Sequence, residues 1–202
     1  MEIAIVLGGV GLVLAAVWAV ADVVWHGYHF RKMSQQITTT TQNIRTHFSP
    51  RGGIYMPGTD QPYNVGEDLE AMVKFLRLIP IEMREDPTRG DDPVHHALGS
   101  GDTSSFLVRA AQNNVGEATS KRFEIMVRHL QRSDCMRLLM EFPALIPEIG
   151  VRRVCTTAVC YNINPDVPDT ADNQVFPLTL TTAERMCSNP DGENDVSFTF
   201  IL

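Results

Sequence analysis

The sequence predicts an α+β protein in which one long N-terminal helix packs on a small antiparallel β-sheet, with a disulfide-bonded C-terminal region. Three observations predict it. The first is an uncharged, proline-free run from Ile3 to Ala21, IAIVLGGVGLVLAAVWAVA, whose apolar pattern passes without a break into an amphipathic helix. The second is a set of short β-branched and aromatic segments in the second half of the chain, bounded by Gly, Pro and Asn. The third is four cysteines, Cys135, Cys155, Cys160 and Cys187, with none in the long helix.

The helix has two halves. Its first half, about 19 apolar residues, is long enough at roughly 1.5 Å per residue to cross the hydrocarbon core of a bilayer. In the second half Phe30, Met33, Ile37, Thr41, Ile44 and Phe48 recur every three or four positions on one face, and Lys32, Gln35, Gln36, Gln42, Asn43 and Arg45 take the others. Such a helix is on the order of 70 Å long. Ser49-Pro50-Arg51-Gly52-Gly53 ends it, because proline disfavours helix in the residue before it and glycines favour a turn. The chain divides accordingly into residues 1–25, a transmembrane or bundle-forming half; 26–50, an amphipathic half; and 51–202, a globular α+β head.

Within the head, Ile54–Asn64 reads as a loop and Glu67–Leu78 as a short helix with Leu69, Met72, Val73 and Leu76 inward. Glu82–Asp102 reads as a polar surface loop. Ser104–Ala110 and Arg122–Leu130 alternate as strands, the second with Phe123, Ile125 and Val127 on one face. Between them Gln112–Ser120 is a loop. Ser133 is placed as the N-cap of a helix over Asp134–Phe142, ended by Pro143, with Cys135, Leu138 and Leu139 inward. Val151–Tyr161 is a strand or hairpin. Val175–Thr181 and Val196–Leu202 are further strands, with Pro177 marking an edge or a strand start.

The net charge of −7 supplies no basic field for nucleic acid. An even cysteine count beside a membrane-length segment favours disulfides and an oxidising compartment. The rival, a zinc site, lacks any CxxC spacing, and spacing alone does not choose among the three possible disulfide pairings. Arg31 and Lys32 follow the apolar run, which by the positive-inside rule favours a cytoplasmic head; the cysteines favour the opposite side. Catalysis finds little support. His26 and His29 share a helix face without a third ligand nearby, and His95-His96 sits beside Asp91 and Asp92 in a polar loop. No nucleophile setting and no phosphate-binding glycine loop is present, so no enzyme, cofactor or metal is expected.

The first fifty residues, with a glutamate at the start of a hydrophobic helix, resemble the N-terminus of type IV pilins. RFEIMVRHLQRSDCMRLLMEFPALIPEIGV is similar to the strand, turn and cysteine-bearing helix of the type IVb pilins, and MCSNPDGENDVSFTFIL to their ending. The resemblance covers roughly residues 2–55, 122–150 and 185–202. It implies the pilin αβ-roll, a Cys135–Cys187 disulfide and, by remainder, Cys155–Cys160. It also implies a basic leader removed by a prepilin peptidase, which places the head in the periplasm. In the family the glutamate is normally the fifth mature residue; here it is Glu2, which implies processing closer to the glutamate or a start at an internal methionine.

The role implied is a structural subunit of a homopolymeric type IVb pilus that acts in adhesion, conjugation, aggregation or motility. The apolar half rests in the inner membrane and then packs against its copies, driven by a separate assembly ATPase. Glu2, unpaired in a dry bundle, is expected to pair with the Met1 amine of a neighbour. Gly8, Gly9 and Gly11 are candidates for close helix approach or local unwinding. Asp22 is a candidate for contact with Arg31 or Lys32 of another subunit. A minor pilin or type II secretion pseudopilin, and a signal-anchored periplasmic binding protein or enzyme, are the competing readings.

Overall fold

The computed structural model describes residues 2–56, 58–59, 61–64, 66–84, 94–98, 105–111, 121–145, 150–156, 159–163, 178–189 and 194–202, with the side chains of 2–9 and 143–145 outside the description. Helix α1 runs unbroken over Glu2–Phe48. A 3-10 turn at Ser49–Arg51 ends it, and Gly52, at φ 68°, returns its N–H to the Ser49 carbonyl. From Phe30 onward the stripe read from the sequence is buried: Phe30, Met33, Ile37, Thr41, Ile44 and Phe48 are all nearly inaccessible.

That stripe lies against one face of an antiparallel sheet. The strands are β1 (Phe106–Ala111), β2 (Arg122–Leu130), β3 (Val151–Thr156), β4 (Cys160–Asn162) and β5 (Asn194–Ile201), in the order β1-β2-β5-β3-β4. The strand at the end of the chain is therefore the central one. Alternation along each strand puts Phe106, Val108, Phe123, Ile125, Val127, Val154, Val196, Phe198 and Phe200 into the core. Phe123 stacks on Phe200 across the β2–β5 pair, with ring centroids 5.3 Å apart. Helix α3 (Arg132–Leu145) shares this face with α1, and its Phe142 meets Phe198 at 4.9 Å.

Several elements differ from the sequence reading, each for a local reason. Helix α2 is only Glu70–Phe75, because the residues before it pair with β1: Gly66 donates to the Ala110 carbonyl, Ala110 to that of Glu67, and Leu69 to that of Val108. At its other end Arg77 takes φ 56°, which closes the helix. The helix expected from Asp134 begins at Arg132, with the Gln131 carbonyl accepting from Cys135, so Ser133 lies in the first turn rather than at the cap. It passes Pro143 to Leu145; proline near the last turn removes one donor only.

The strand expected over Val175–Thr181 is overturned where it is described. Thr179 is extended and its hydroxyl accepts from the Thr182 N–H, so it caps a helix, α4, over Leu180–Met186. Val175–Pro177 lies outside the described residues, as do the loop expected at 112–120 and Asp91 and Asp92. Where it is described, at residues 82–84 and 94–98, the 82–102 stretch is less exposed than expected. Met83, Val94 and His96 are buried; a bridge Arg84–Val94 closes the stretch on itself, and a bridge His95–Ser105 ties it to the residue before β1.

His96 carries a consequence for acid stability. Its Nε2–H donates to the Arg128 carbonyl at 2.8 Å, and it is 3% exposed beside His95 and His129. Burial pushes the imidazole down to about 4, helped by the two neighbouring histidines and opposed by the Arg128 hydrogen bond. The unfolded chain takes up the proton near the ordinary histidine value of 6.5, and the folded chain only near 4. Stability is therefore complete above the first value, falls as pH drops between the two, and loses nothing further from this group below the second. The loss is about 3 kcal/mol. Urea unfolding across that interval should show this slope in the wild type and lose most of it in H96Q.

Candidate assembly surface

The outstanding surface feature is the half of α1 that the head leaves bare. Among the described residues, Val10, Leu12, Val13, Leu14, Val17, Trp18, Val20, Val23, Val24, Trp25 and Tyr28 are all more than half exposed, with Trp18 at 74%. They surround the helix, so no rotation about its axis hides them. Exposed apolar area on this scale marks a membrane or protein contact. The helix is also long and apolar enough to cross a membrane, and none of its apolar window is buried in the chain's own fold.

The change from bare to covered helix occurs within one turn. Tyr28 is exposed and Phe30 is buried under α3, whose Arg137 guanidinium lies 4.4 Å from the Phe30 ring centre. Asp134, at the start of α3, sits in this neck. Burial raises its carboxyl above the usual range, against the pull of His26 and Arg137.

Below the neck, polar side chains on the flanks of the buried stripe fasten the helix to the head. The His29 Nδ1–H donates to the Ala97 carbonyl at 2.8 Å, and Gln36 Oε1 accepts from the Ala97 N–H at 3.2 Å, so both ends of that residue's backbone are held. Asn43 donates to the Leu78 carbonyl at 2.9 Å, and Arg45 Nε to the Ile201 carbonyl at 2.7 Å. These residues were not anticipated as contacts, and Gln36, read as lying off the core, is 3% exposed. The signal was present: positions 29, 36 and 43 repeat every seven residues along one flank of the apolar stripe. Fixed at four points, the lower half of α1 moves with the head, while the upper half projects.

The residues singled out from the sequence fall into three groups. Met1 lies outside the described residues; Glu2, Gly8 and Gly9 lie in the helical backbone of α1. Gly11 is helical too, and a Cβ added there would meet nothing, so nothing within this chain requires glycine at that position. Asp22 lies 3.2 Å from His26 Nδ1, one turn along, which gives it a partner within the chain. His29, bound to Ala97, is turned to the head and does not form a ligand pair with His26.

The four cysteines form two disulfides. Cys135–Cys187 joins α3 to the end of α4 with both residues fully buried, and Cys155–Cys160 links directly opposed residues of the β3–β4 hairpin.

No protein-family model and no curated protein matches this chain. Among solved structures it is similar to TcpA, a type IV pilin from Vibrio cholerae El Tor biotype, with a TM-score of 0.52 and 12% identity over 85% of this chain and 98% of that one. A type IV b pilin from Salmonella typhi aligns at a TM-score of 0.49 and 13% identity over 83% of this chain and 99% of that one. The first likeness shows the fold: a long N-terminal helix laid on an antiparallel sheet, as in type IV pilins.

Proposed function

We propose that this chain is the major structural subunit of a type IVb pilus, and that its copies polymerise by bundling the bare halves of α1. The observation that carries this reading is the eleven large apolar side chains exposed between Val10 and Tyr28. Taking such a side chain out of water is worth roughly 1.5 to 3 kcal/mol when burial is complete, so the eleven together represent on the order of 15 kcal/mol per subunit. Lipid satisfies it before assembly, in an inner membrane with the head on the periplasmic side. Neighbouring copies satisfy it afterwards, which lets the same helix serve as an anchor and then as a filament core. The head, clamped to the lower half of α1, is carried out as a rigid body. The partners this reading requires are a prepilin peptidase and an assembly machine with its own ATPase.

Electron microscopy and mass spectrometry of material sheared from cells test it. Abundant thin filaments composed of this chain are the expected result. Filaments holding only traces of it would reassign the chain as a minor pilin or pseudopilin, and its absence from filaments would leave a membrane-anchored periplasmic protein.

A further inference from the structure

The face of the sheet turned away from α1 carries a groove of about 320 Å³, lined in part by arginines. The strand register explains how it arises. One cross-strand row runs Arg109, Glu124, Thr199, Arg153, Asn162 across all five strands. These positions alternate with the buried phenylalanines and therefore share the opposite face. A bulge in β3 adds to them. Val151 pairs with Phe200 and Arg153 with Thr199, so β3 advances two residues while β5 advances one, and Arg152 is the extra residue. The bulge brings consecutive arginines, Arg152 and Arg153, to a single groove, where Arg122 joins them. Among the described residues its lining thus holds two exposed guanidinium groups, those of Arg152 and Arg153, with Arg122 beside them and one carboxylate, Glu124, in a chain whose net charge is −7.

We propose that this groove binds an acidic saccharide, a sugar unit bearing a carboxylate or sulfate group. Guanidinium forks match both anions in bidentate geometry. Asn162 and Thr199 supply the neutral donors and acceptors that sugar hydroxyls need, and Glu124 accepts from a hydroxyl. Nucleic acid fits less well: among the described residues the lining has no aromatic side chain on which a base could stack. The volume suits a small ligand unit rather than a protein surface. Arg152 and Arg153 are themselves exposed, so a ligand reaches them without rearrangement of the core. The groove's setting in a filament rests on the assembly proposed above: if α1 forms the core, the face opposite α1 points away from the axis, and each subunit displays one groove to the surroundings. Binding by the single chain does not depend on that reading.

Full-length chain purified in detergent, titrated with heparin and with polygalacturonate, tests the site. Saturable, salt-sensitive binding to at least one of them is expected, with none to neutral dextran. R152Q/R153Q, whose melting curve should match the wild type because both side chains are exposed, should bind roughly ten- to a hundredfold more weakly. R152K/R153K keeps the charge and loses the fork, and should weaken binding by a smaller factor; should the glutamine pair misfold, the lysine pair decides. Unchanged affinity in the variants, equal affinity for duplex DNA, or binding to dextran would each overturn the proposal. Sheared filaments provide the separate test of display: if they fail to bind a polymer that the single chain binds, the outward orientation falls and the site stands.

Discussion

Alanine at Glu2 is expected to remove filaments from the cell surface while the chain still accumulates in the membrane. On the bundle reading, the carboxylate at the start of α1 enters a core lined by valine, leucine and tryptophan. There it has no water and needs a cation from a neighbouring copy, which we infer to be the Met1 amine. Removing one partner of a buried ion pair costs on the order of 3 to 5 kcal/mol, because the other charge is left behind. Per subunit added, that is roughly a hundred- to several-thousandfold weaker association, and it recurs at each addition. E2Q separates charge from shape. The amide preserves size and hydrogen bonding, so assembly by E2Q would show that the ion pair does not set the register. Normal filament length and number in both variants would place the carboxylate among lipid headgroups and leave the bundle without its axial key.

How far the fold could be read from the residues depended on how local its causes were. The stripe from Phe30 to Phe48 and the alternation of β2 repeat over many residues, and the structure has both where the pattern put them. Helix α2 and the segment around Thr179 failed for opposite reasons. Glu67 to Leu69 look helical in isolation, but the backbone of β1 offers them a ladder, a competitor far away in sequence. Leu178 to Thr181 look like a strand in isolation, yet Thr179 is a good N-cap and Ala183, Glu184, Arg185 and Met186 are strong helix formers just downstream. The bare half of α1 was legible as apolar all round; on the covered half the seven-residue spacing of His29, Gln36 and Asn43 marked a flank, but not their partners, nor that of Arg45, which are backbone groups far away in sequence. The arginine groove was the least visible, because it depends on a bulge and on a register across five strands.

Of the two disulfides, the buried one should decide whether a head exists to be assembled. Cys135–Cys187 closes a long loop, with a sequence separation of 52, and Cys155–Cys160 a short one, with a separation of 5. Loop-closure entropy makes the first worth about 4 kcal/mol and the second about 2. Position widens the gap. Cys135 and Cys187 are both at 0% exposure between α3 and α4, the layer that also holds Phe142 on Phe198 and Arg137 over Phe30. Cys160 is exposed on a three-residue edge strand, where fraying disturbs little else. Against a total stability of about 5 to 15 kcal/mol for a domain, the first loss takes roughly a quarter to four-fifths of the margin. C135A/C187A should therefore unfold at much lower urea, be degraded before assembly and leave cells without filaments. C155A/C160A should show a smaller shift in midpoint and assemble. Equal shifts in the two double variants would mean that the link between α3 and α4 contributes no more than the hairpin link, and that neither its longer loop nor its buried position adds to its worth.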